Sequence, residues 1–108
     1  MQIIVKGAKG FEIFPENKEY AEEKFCKFQK LVKEPAVLEI IFEHTHGTRA
    51  NIDKKIILNF TMPGLKQAEH FENTATHFTE AIDVLEEKFE TFILRAKEKR
   101  DEERKQEK

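Results

Sequence analysis

The chain has 108 residues and a formal net charge of −2, with 39% hydrophobic and 37% charged side chains. This length suits one domain, and the apolar residues recur in periodic blocks, which argues against general disorder. The acidic balance excludes a protein that binds nucleic acid by overall basicity, although residues 88–108 hold eight basic and six acidic side chains. The single Cys26 cannot form an internal disulfide, and the N-terminal apolar run is too short for a signal peptide or a membrane span. We therefore expect a cytoplasmic protein.

The first third of the chain predicts one strand and one helix. Gln2 to Lys6 is short and rich in β-branched residues, which is typical of a strand. A helix is expected from Pro15 to about Lys33, because proline is tolerated in the first helical turn and Pro35 ends the helix. Its apolar face consists of residues spaced four, three and four positions apart, namely Ala21, Phe25, Phe28 and Val32.

Three more strands and a second helix are predicted after Pro35. Residues 36–45 alternate in polarity and predict the second strand, and the polar segment 44–51 predicts a loop. Residues 55–62 predict the third strand, which ends at the turn signal Pro63-Gly64. A weaker strand is expected over residues 66–73, and Thr74 or Thr76 can then cap the second helix.

The predicted order β-α-β-β-β-α indicates an α+β fold. Antiparallel hairpins with both helices on one face of a four-stranded sheet make a two-layer sandwich. We expect a single domain over residues 1–100 and a charged, frayed or disordered tail over residues 101–108.

The second helix combines an apolar stripe with a basic flank. The stripe residues are spaced four, three, four, three and four positions apart, namely Phe78, Ile82, Leu85, Phe89, Phe92 and Ala96. This spacing also suits a coiled-coil seam, but it lasts for fewer than three heptads, so packing on the sheet is the favoured interpretation. At 100° per residue, Lys88, Arg95 and Lys99 lie within about 40° of one another beside the stripe.

Lysines on the first helix suggest a second basic flank. Lys24 and Lys27 lie at the edge of its apolar face, with Lys30 further round. If the helices lie side by side, the two basic flanks can meet in a positive groove. The charge pattern alone favours ordinary solvated helix surfaces, because Glu86, Glu90, Glu98 and carboxylates of the tail can pair with the basic residues.

Three segments resemble one known family, namely MQIIVKG, KEYAEEKFCKFQKL and FTEAIDVLEEKFETFILRAKEK. They are similar to the ribosome hibernation-promoting factor and ribosome-associated translation inhibitor family, in its short form. The resemblance covers about residues 1–100. In the second helix it rests on Phe78, Ala81, Ile82, Asp83, Lys88, Phe89, Arg95, Lys97 and Lys99. The family's fold resembles a double-stranded-RNA-binding domain.

The resemblance implies a function without catalysis. Members of the family bind the small ribosomal subunit in the channel used by messenger and transfer RNA, and they stop translation under stress. Carried over to this chain, the implied contacts to ribosomal RNA are Lys24, Lys27, Lys30, Lys88, Arg95, Lys97 and Lys99. No cofactor, metal, membrane or small-molecule substrate is implied. Thr91-Phe92 departs from the family pattern, which commonly has a basic residue and glutamine there.

Other candidate sites are weaker. His44 and His46, with His70 and His77, suggest a zinc site only formally, because the spacing is not a known zinc pattern and loop histidines are the favoured interpretation. Cys26 is expected to be small and partly buried, with no base to make it a nucleophile. Asp83 has a plain electrostatic reason to lie near a helix N-terminus.

The second face of the sheet suggests an alternative function. Val37, Ile41 and Ile57 are expected on a face that a two-layer domain leaves in water. We hypothesise weak homodimer formation or partner binding there, and ordinary β-propensity explains the same residues equally well. The alternative to ribosome binding is therefore an interaction module that uses this face or the long second helix.

Overall fold

The computed structural model describes residues 1–45 and 51–106, with side chains described through Lys99. Within these ranges the elements follow the order β-α-β-β-β-α, which confirms the predicted fold class. None of the described helices is long and apolar enough to cross a membrane. The main elements are β1 (Gln2–Gly7), α1 (Pro15–Cys26), β2 (Val37–His44), β3 (Lys54–Thr61), β4 (Glu69–Ala75) and α2 (Phe78–Gln106).

The strands form one mixed sheet in the order β1-β2-β3-β4. β1 pairs with β2 in parallel because α1 carries the chain back between them, and the other two pairs are antiparallel. Leu38 of β2 lies opposite Phe60 of β3, and Phe42 lies opposite Ile56; all four side chains are buried. The alternation of side chains therefore divides the sheet into an apolar inner face and a more polar outer face.

Phenylalanine rings join both helices to the inner face of the sheet. The Phe89 ring of α2 lies 5.8 Å from the Phe25 ring of α1, 5.0 Å from the Phe60 ring of β3 and 6.0 Å from the Phe71 ring of β4, between ring centroids. These rings meet nearly edge-on, which is a favourable arrangement for aromatic quadrupoles. The stripe of α2 therefore packs on the sheet, as the sequence predicts, rather than forming a coiled-coil seam.

The end of the buried stripe differs from the prediction. Ile93 is buried to 1% exposure, whereas Phe92 and Ala96 are only partly buried. At 100° per residue, Ile93 lies about 40° round the helix from buried Phe89, whereas Phe92 lies about 60° away on the other side, so Ile93 continues the buried face. Phe92 packs over β4 instead, with its ring 5.7 Å from that of Phe71.

Two element boundaries also differ from the prediction. The first helix changes to a 3₁₀ turn at Lys27–Lys30 rather than reaching Lys33 as an α-helix. The fourth strand begins at Glu69 rather than at residue 66, because residues 62–65 form a turn in which the Leu65 N–H donates to the Met62 carbonyl at 3.3 Å. Most of the predicted loop at 44–51 lies outside the described residues.

The second helix is longer than predicted. It runs to Gln106, past the expected domain end at residue 100, and the expected frayed or disordered tail over residues 101–108 stays a prediction. No glycine or proline interrupts the sequence after Ile93, and its Lys, Arg, Glu and Gln residues are good helix formers. With 29 residues, α2 is about 44 Å long and projects past the sheet.

Replacing Phe89 should test the central role of its ring. We expect Phe89→Ala to lower the free energy of unfolding by about 3–5 kcal/mol, because it leaves a cavity where α1, α2 and the sheet meet. Phe14→Ala is the matched control, because Phe14 is 67% exposed, and we expect it to change the free energy by less than about 0.5 kcal/mol. Denaturant unfolding followed by circular dichroism measures both. Similar losses in the two variants would contradict the assignment.

Candidate nucleic-acid interface

The flank of α2 that faces α1 is acidic. Lys24 Nζ lies 3.8 Å from Asp83 Oδ1, and Lys27 Nζ lies 3.2 Å from Glu86 Oε2. The Tyr20 hydroxyl also donates to Asp83 Oδ1 at 2.5 Å. On this flank, α2 therefore contacts α1 and the 3₁₀ turn after it through two ion pairs and a hydrogen bond.

The predicted meeting of two basic flanks is wrong. Glu86 and Arg95 are nine positions apart on α2, which is two and a half turns of an α-helix, so they lie on opposite sides. Because Glu86 faces α1, the ridge of Lys88, Arg95 and Lys99 lies on the other flank. Phe92 lies within about 60° of the ridge residues round the helix axis. Its ring contacts that of Phe71 in β4. The basic ridge therefore borders β4, away from α1.

The predicted RNA contacts fall into two electrostatic classes. Lys24 and Lys27 are neutralised by carboxylates of α2. Among the side chains that the structure describes, the other five form no ion pair, and they are exposed, namely Lys30, Lys88, Arg95, Lys97 and Lys99. An exposed cation without a partner keeps its full attraction for phosphate, since it has no intramolecular pair to give up. The five unpaired residues are therefore the stronger candidates.

The unpaired cations include two lysines that sequence reasoning missed. Lys33 follows the 3₁₀ turn, and Lys66 follows the turn between β3 and β4; both are exposed and, within the described part of the chain, unpaired. Neighbouring Glu34 does not neutralise Lys33, because its carboxylate binds the N-terminal ammonium group and accepts a hydrogen bond from the Ala36 N–H at 3.1 Å. Only the fold brings these segments near the end of α2, so no sequence spacing could have revealed them.

A cleft of about 280 Å³ lies where α2 passes the end of the sheet. We call it the terminal cleft. Its apolar lining includes Leu31, Met62, Leu65, Ile93 and Ala96, and its basic lining is Lys33, Lys97 and Lys99. The Pro63-Gly64 turn positions Met62 and Leu65, and Gly64 permits this turn because its φ of 98° is strained for other residues.

Thr91 and Phe92 fill the place of the basic residue and glutamine that the family pattern has. The Thr91 hydroxyl donates to the Glu87 carbonyl one turn earlier at 3.0 Å, so it is used within the helix. Phe92 extends the aromatic cluster over Phe60 and Phe71. Here α2 contributes packing where a charge is expected, and Lys88 and Arg95, which have no ion pair among the described side chains, lie on either side of this point.

The histidines and the cysteine do not assemble a chemical site within the described residues. His44 Nε2 lies 2.8 Å from Asp53 Oδ2, and a hydrogen bond from Lys54 holds the pKa of Asp53 below its usual value. No group of three metal-type ligands occurs in the described ranges, and His46 lies outside them. Cys26 is exposed, so the expected partial burial is wrong: it lies one position past buried Phe25 and turns outward.

A polar network crosses the outer face of the sheet. Glu39 accepts from Lys6 at 3.1 Å and from Asn59 at 3.4 Å, and the Asn59 side-chain oxygen lies 2.8 Å from His70 Nδ1. His70 in turn contacts Glu72, whose pKa this hydrogen bond helps to hold below its usual value.

The apolar residues of the outer face are divided by this network. Val37 lies on one side of the row that joins Glu39 and Asn59, and the Ile41–Ile57 pair lies on the other. All three are partly buried rather than fully exposed. Homodimer formation through this face stays a prediction, and the face that it would use is not one continuous apolar patch.

Comparison with known proteins places the chain among ribosome-associated proteins. The family described as Sigma 54 modulation protein / S30EA ribosomal protein matches residues 3–101. A ribosomal subunit interface protein from Coxiella burnetii has a similar structure, with a TM-score of 0.69 and 23% identity, over 90% of this chain and 98% of that one. The N-terminal domain of Protein Y from Thermus thermophilus also matches, with a TM-score of 0.69 and 18% identity, over 88% and 98%. No curated protein sequence matches. At these identities the two structures establish the fold alone.

The contact between Tyr20 and Asp83 predicts a shifted titration. The hydrogen bond to Asp83, with burial and the charges of Asp83 and Glu86, raises the pKa of Tyr20 to about 12. Because the pKa in the folded state is higher than the unfolded value of about 10, this contact stabilises the fold fully below pH 10 and is lost as the pH rises through 12. Tyr20 is the only tyrosine and there is no tryptophan, so phenolate absorbance reports it alone.

The matched variant is Asp83→Ala, which removes the hydrogen-bond acceptor. We expect its absorbance midpoint to fall toward 10 and its stability to depend less on pH above 10. Glu90→Ala is the control, because Glu90 is an exposed carboxylate of the same helix. An unchanged midpoint in Asp83→Ala would rule out this contact in solution.

Proposed function

Because the chain belongs to the Sigma 54 modulation protein / S30EA ribosomal protein family, we propose that it binds the small ribosomal subunit and inhibits translation there. The family match over residues 3–101 carries this proposal, and the cations of α2 up to Lys99, which have no ion pair among the described side chains, support it. The proposed setting is the cytoplasm under stress, where inactive ribosomes are stored. The interaction requires no catalytic residue and no cofactor.

The proposed RNA contacts are ordered by their electrostatic environment. Lys88, Arg95 and Lys99 form the ridge that borders β4, and Lys30 and Lys97 add charge that no described side chain neutralises. These residues would contact phosphates and release the counterions that surround RNA. Lys24 and Lys27 would contribute less, because an RNA phosphate has to compete with Asp83 and Glu86 for them.

The proposed mechanism is occlusion of the channel that messenger and transfer RNA use. Phosphate contacts position a protein on RNA without reading its sequence. The sheet and the two helices then act as a rigid body, because their contact is a buried aromatic cluster rather than a flexible joint. A rigid domain held in the channel excludes the RNA that translation needs.

Binding to isolated ribosomal subunits tests the proposal directly. We expect the protein to co-sediment with small subunits at low salt, to be released at high salt, and not to co-sediment with large subunits. The same preparation should inhibit translation in a cell-free system at concentrations that saturate the small subunit. Absence of small-subunit binding at low salt, or equal binding to both subunits, would overturn the proposal.

Neutralising the ridge should weaken ribosome binding selectively. The triple variant is Lys88→Gln, Arg95→Gln, Lys99→Gln. The logarithm of the binding constant falls as the logarithm of the salt concentration rises, and we expect this slope to become less negative by roughly two to three, because each lost phosphate contact removes about 0.7–0.9. The charge-matched control is Lys6→Gln, Lys9→Gln, Lys55→Gln, whose lysines are ion-paired beside or on the outer sheet face. A larger loss in the control than in the ridge variant would move the interface to the sheet.

A further inference from the structure

The terminal cleft joins two surface properties that usually occur apart. Its floor is apolar, formed mainly by Leu31, Met62, Leu65 and Ala96, each partly exposed. Round the axis of α2, Lys97 lies about 100° from Ala96 in one direction and Lys99 lies about 60° from it in the other. The two lysines therefore line the cleft from opposite flanks of the helix. Lys33 lines it from the segment after α1.

The charge at this cleft is uncompensated within the described residues. Lys33, Lys97 and Lys99 form no ion pair there, in contrast to Lys24 and Lys27. A phosphate ion alone would satisfy the lysines and leave the apolar floor in water. An apolar side chain alone would cover the floor and leave three ammonium groups without a partner. The complementary ligand therefore carries an apolar face and negative charge together.

We infer that the terminal cleft binds one unpaired base of single-stranded RNA, with the flanking phosphates on Lys33, Lys97 and Lys99. A base that is out of a duplex exposes its flat face, and enzymes that extrude bases hold them between aromatic or apolar side chains. The Met62 thioether suits this contact because sulfur packs favourably against aromatic rings. A volume of about 280 Å³ is just below the usual range of drug-sized ligand pockets, which suits one flat ring. The inference rests on the proposed function, since it gives that RNA interface a specific contact.

A phosphodiester chain fits this surface better than an acidic peptide does. Lys30 precedes cleft-lining Leu31, and Lys66 follows cleft-lining Leu65. Neither lysine has an ion pair in the described part of the chain, so the uncompensated charge continues beyond the cleft. RNA carries a charge at every nucleotide and can use cations outside the cleft as well as inside. The lining offers no side-chain amide, hydroxyl or carboxylate for reading a base edge, so binding should tolerate any base.

The test compares two RNA probes that differ only in their bases. The full chain, with labelled methyl groups, is titrated by NMR with an adenosine pentanucleotide and with an abasic pentanucleotide of equal phosphate number. We expect the adenosine probe to bind about ten-fold more tightly, because its base covers apolar surface of the cleft, and to shift the methyl signals of Met62 and Ile93. Equal affinities, or unshifted Met62 and Ile93 signals at saturation, would overturn the inference.

Two variants on α2 separate the cleft from the surrounding charge. Ala96→Phe fills the cleft without changing charge, and we expect it to remove the ten-fold preference while binding of the abasic probe persists. Leu94→Phe is the control, because Leu94 is 42% exposed and lies about 160° from Ala96 on the same helix, outside the cleft lining. A preference retained by Ala96→Phe would overturn the inference. If this variant fails to fold, the wild-type comparison of the two probes still decides.

Three further outcomes distinguish the cleft inference from protein docking and from the proposed function. If a peptide that alternates aspartate and phenylalanine shifts the same methyl signals at a lower concentration than the adenosine probe, the cleft is a protein-docking site and the inference fails. If the wild type co-sediments with small subunits but binds both RNA probes equally, the cleft inference fails and the proposed function stands. If it prefers the adenosine probe but does not co-sediment, single-stranded RNA binding stands and the small-subunit proposal fails.

Discussion

The contact of the Phe89 ring with α1, β3 and β4 fixes the arrangement of the whole domain. One side chain touches the other helix and two strands, so the position of α2 cannot change without opening the core. The burial of these aromatic rings contributes a large part of the free energy of unfolding of a domain of 108 residues. The rotation of α2 about its axis is therefore set by packing rather than by its charges.

This rotation decides the electrostatics of the surface. With Phe89 facing inward, Asp83 pairs with Lys24 of α1, and Glu86 pairs with Lys27 of the 3₁₀ turn that follows α1. Lys88, Arg95 and Lys99 then lie on the opposite flank, where the described residues offer no carboxylate partner. The same helix thus supplies a neutralised contact to the fold on one side and free positive charge on the other.

The spacing of apolar residues predicted the strands, the helices and their buried faces. It did not predict which surface residues from different elements lie close together. The order of elements, the inner face of β2 and β3 and the packing of α2 on the sheet all follow from alternation or helical spacing in the sequence. Which flank of α2 faces α1 does not follow, because basic residues border both sides of the stripe. Lys33 and Lys66 were missed because they are distant in sequence from α2. Only the folded chain brings their segments near the end of that helix.

Net charge is a poor guide to what this surface attracts. The chain has a formal net charge of −2, yet many of its lysine and arginine side chains have no ion pair within the described residues. An ion-paired lysine gives up one interaction to gain another, whereas an unpaired lysine gains the whole of its attraction to phosphate, reduced only by salt. The terminal cleft adds an apolar surface to this unpaired charge, and RNA is the polymer whose unstacked bases and regular phosphates can use both at once. The distribution of pairing, rather than the count of charges, therefore connects the fold of this domain to its proposed interface.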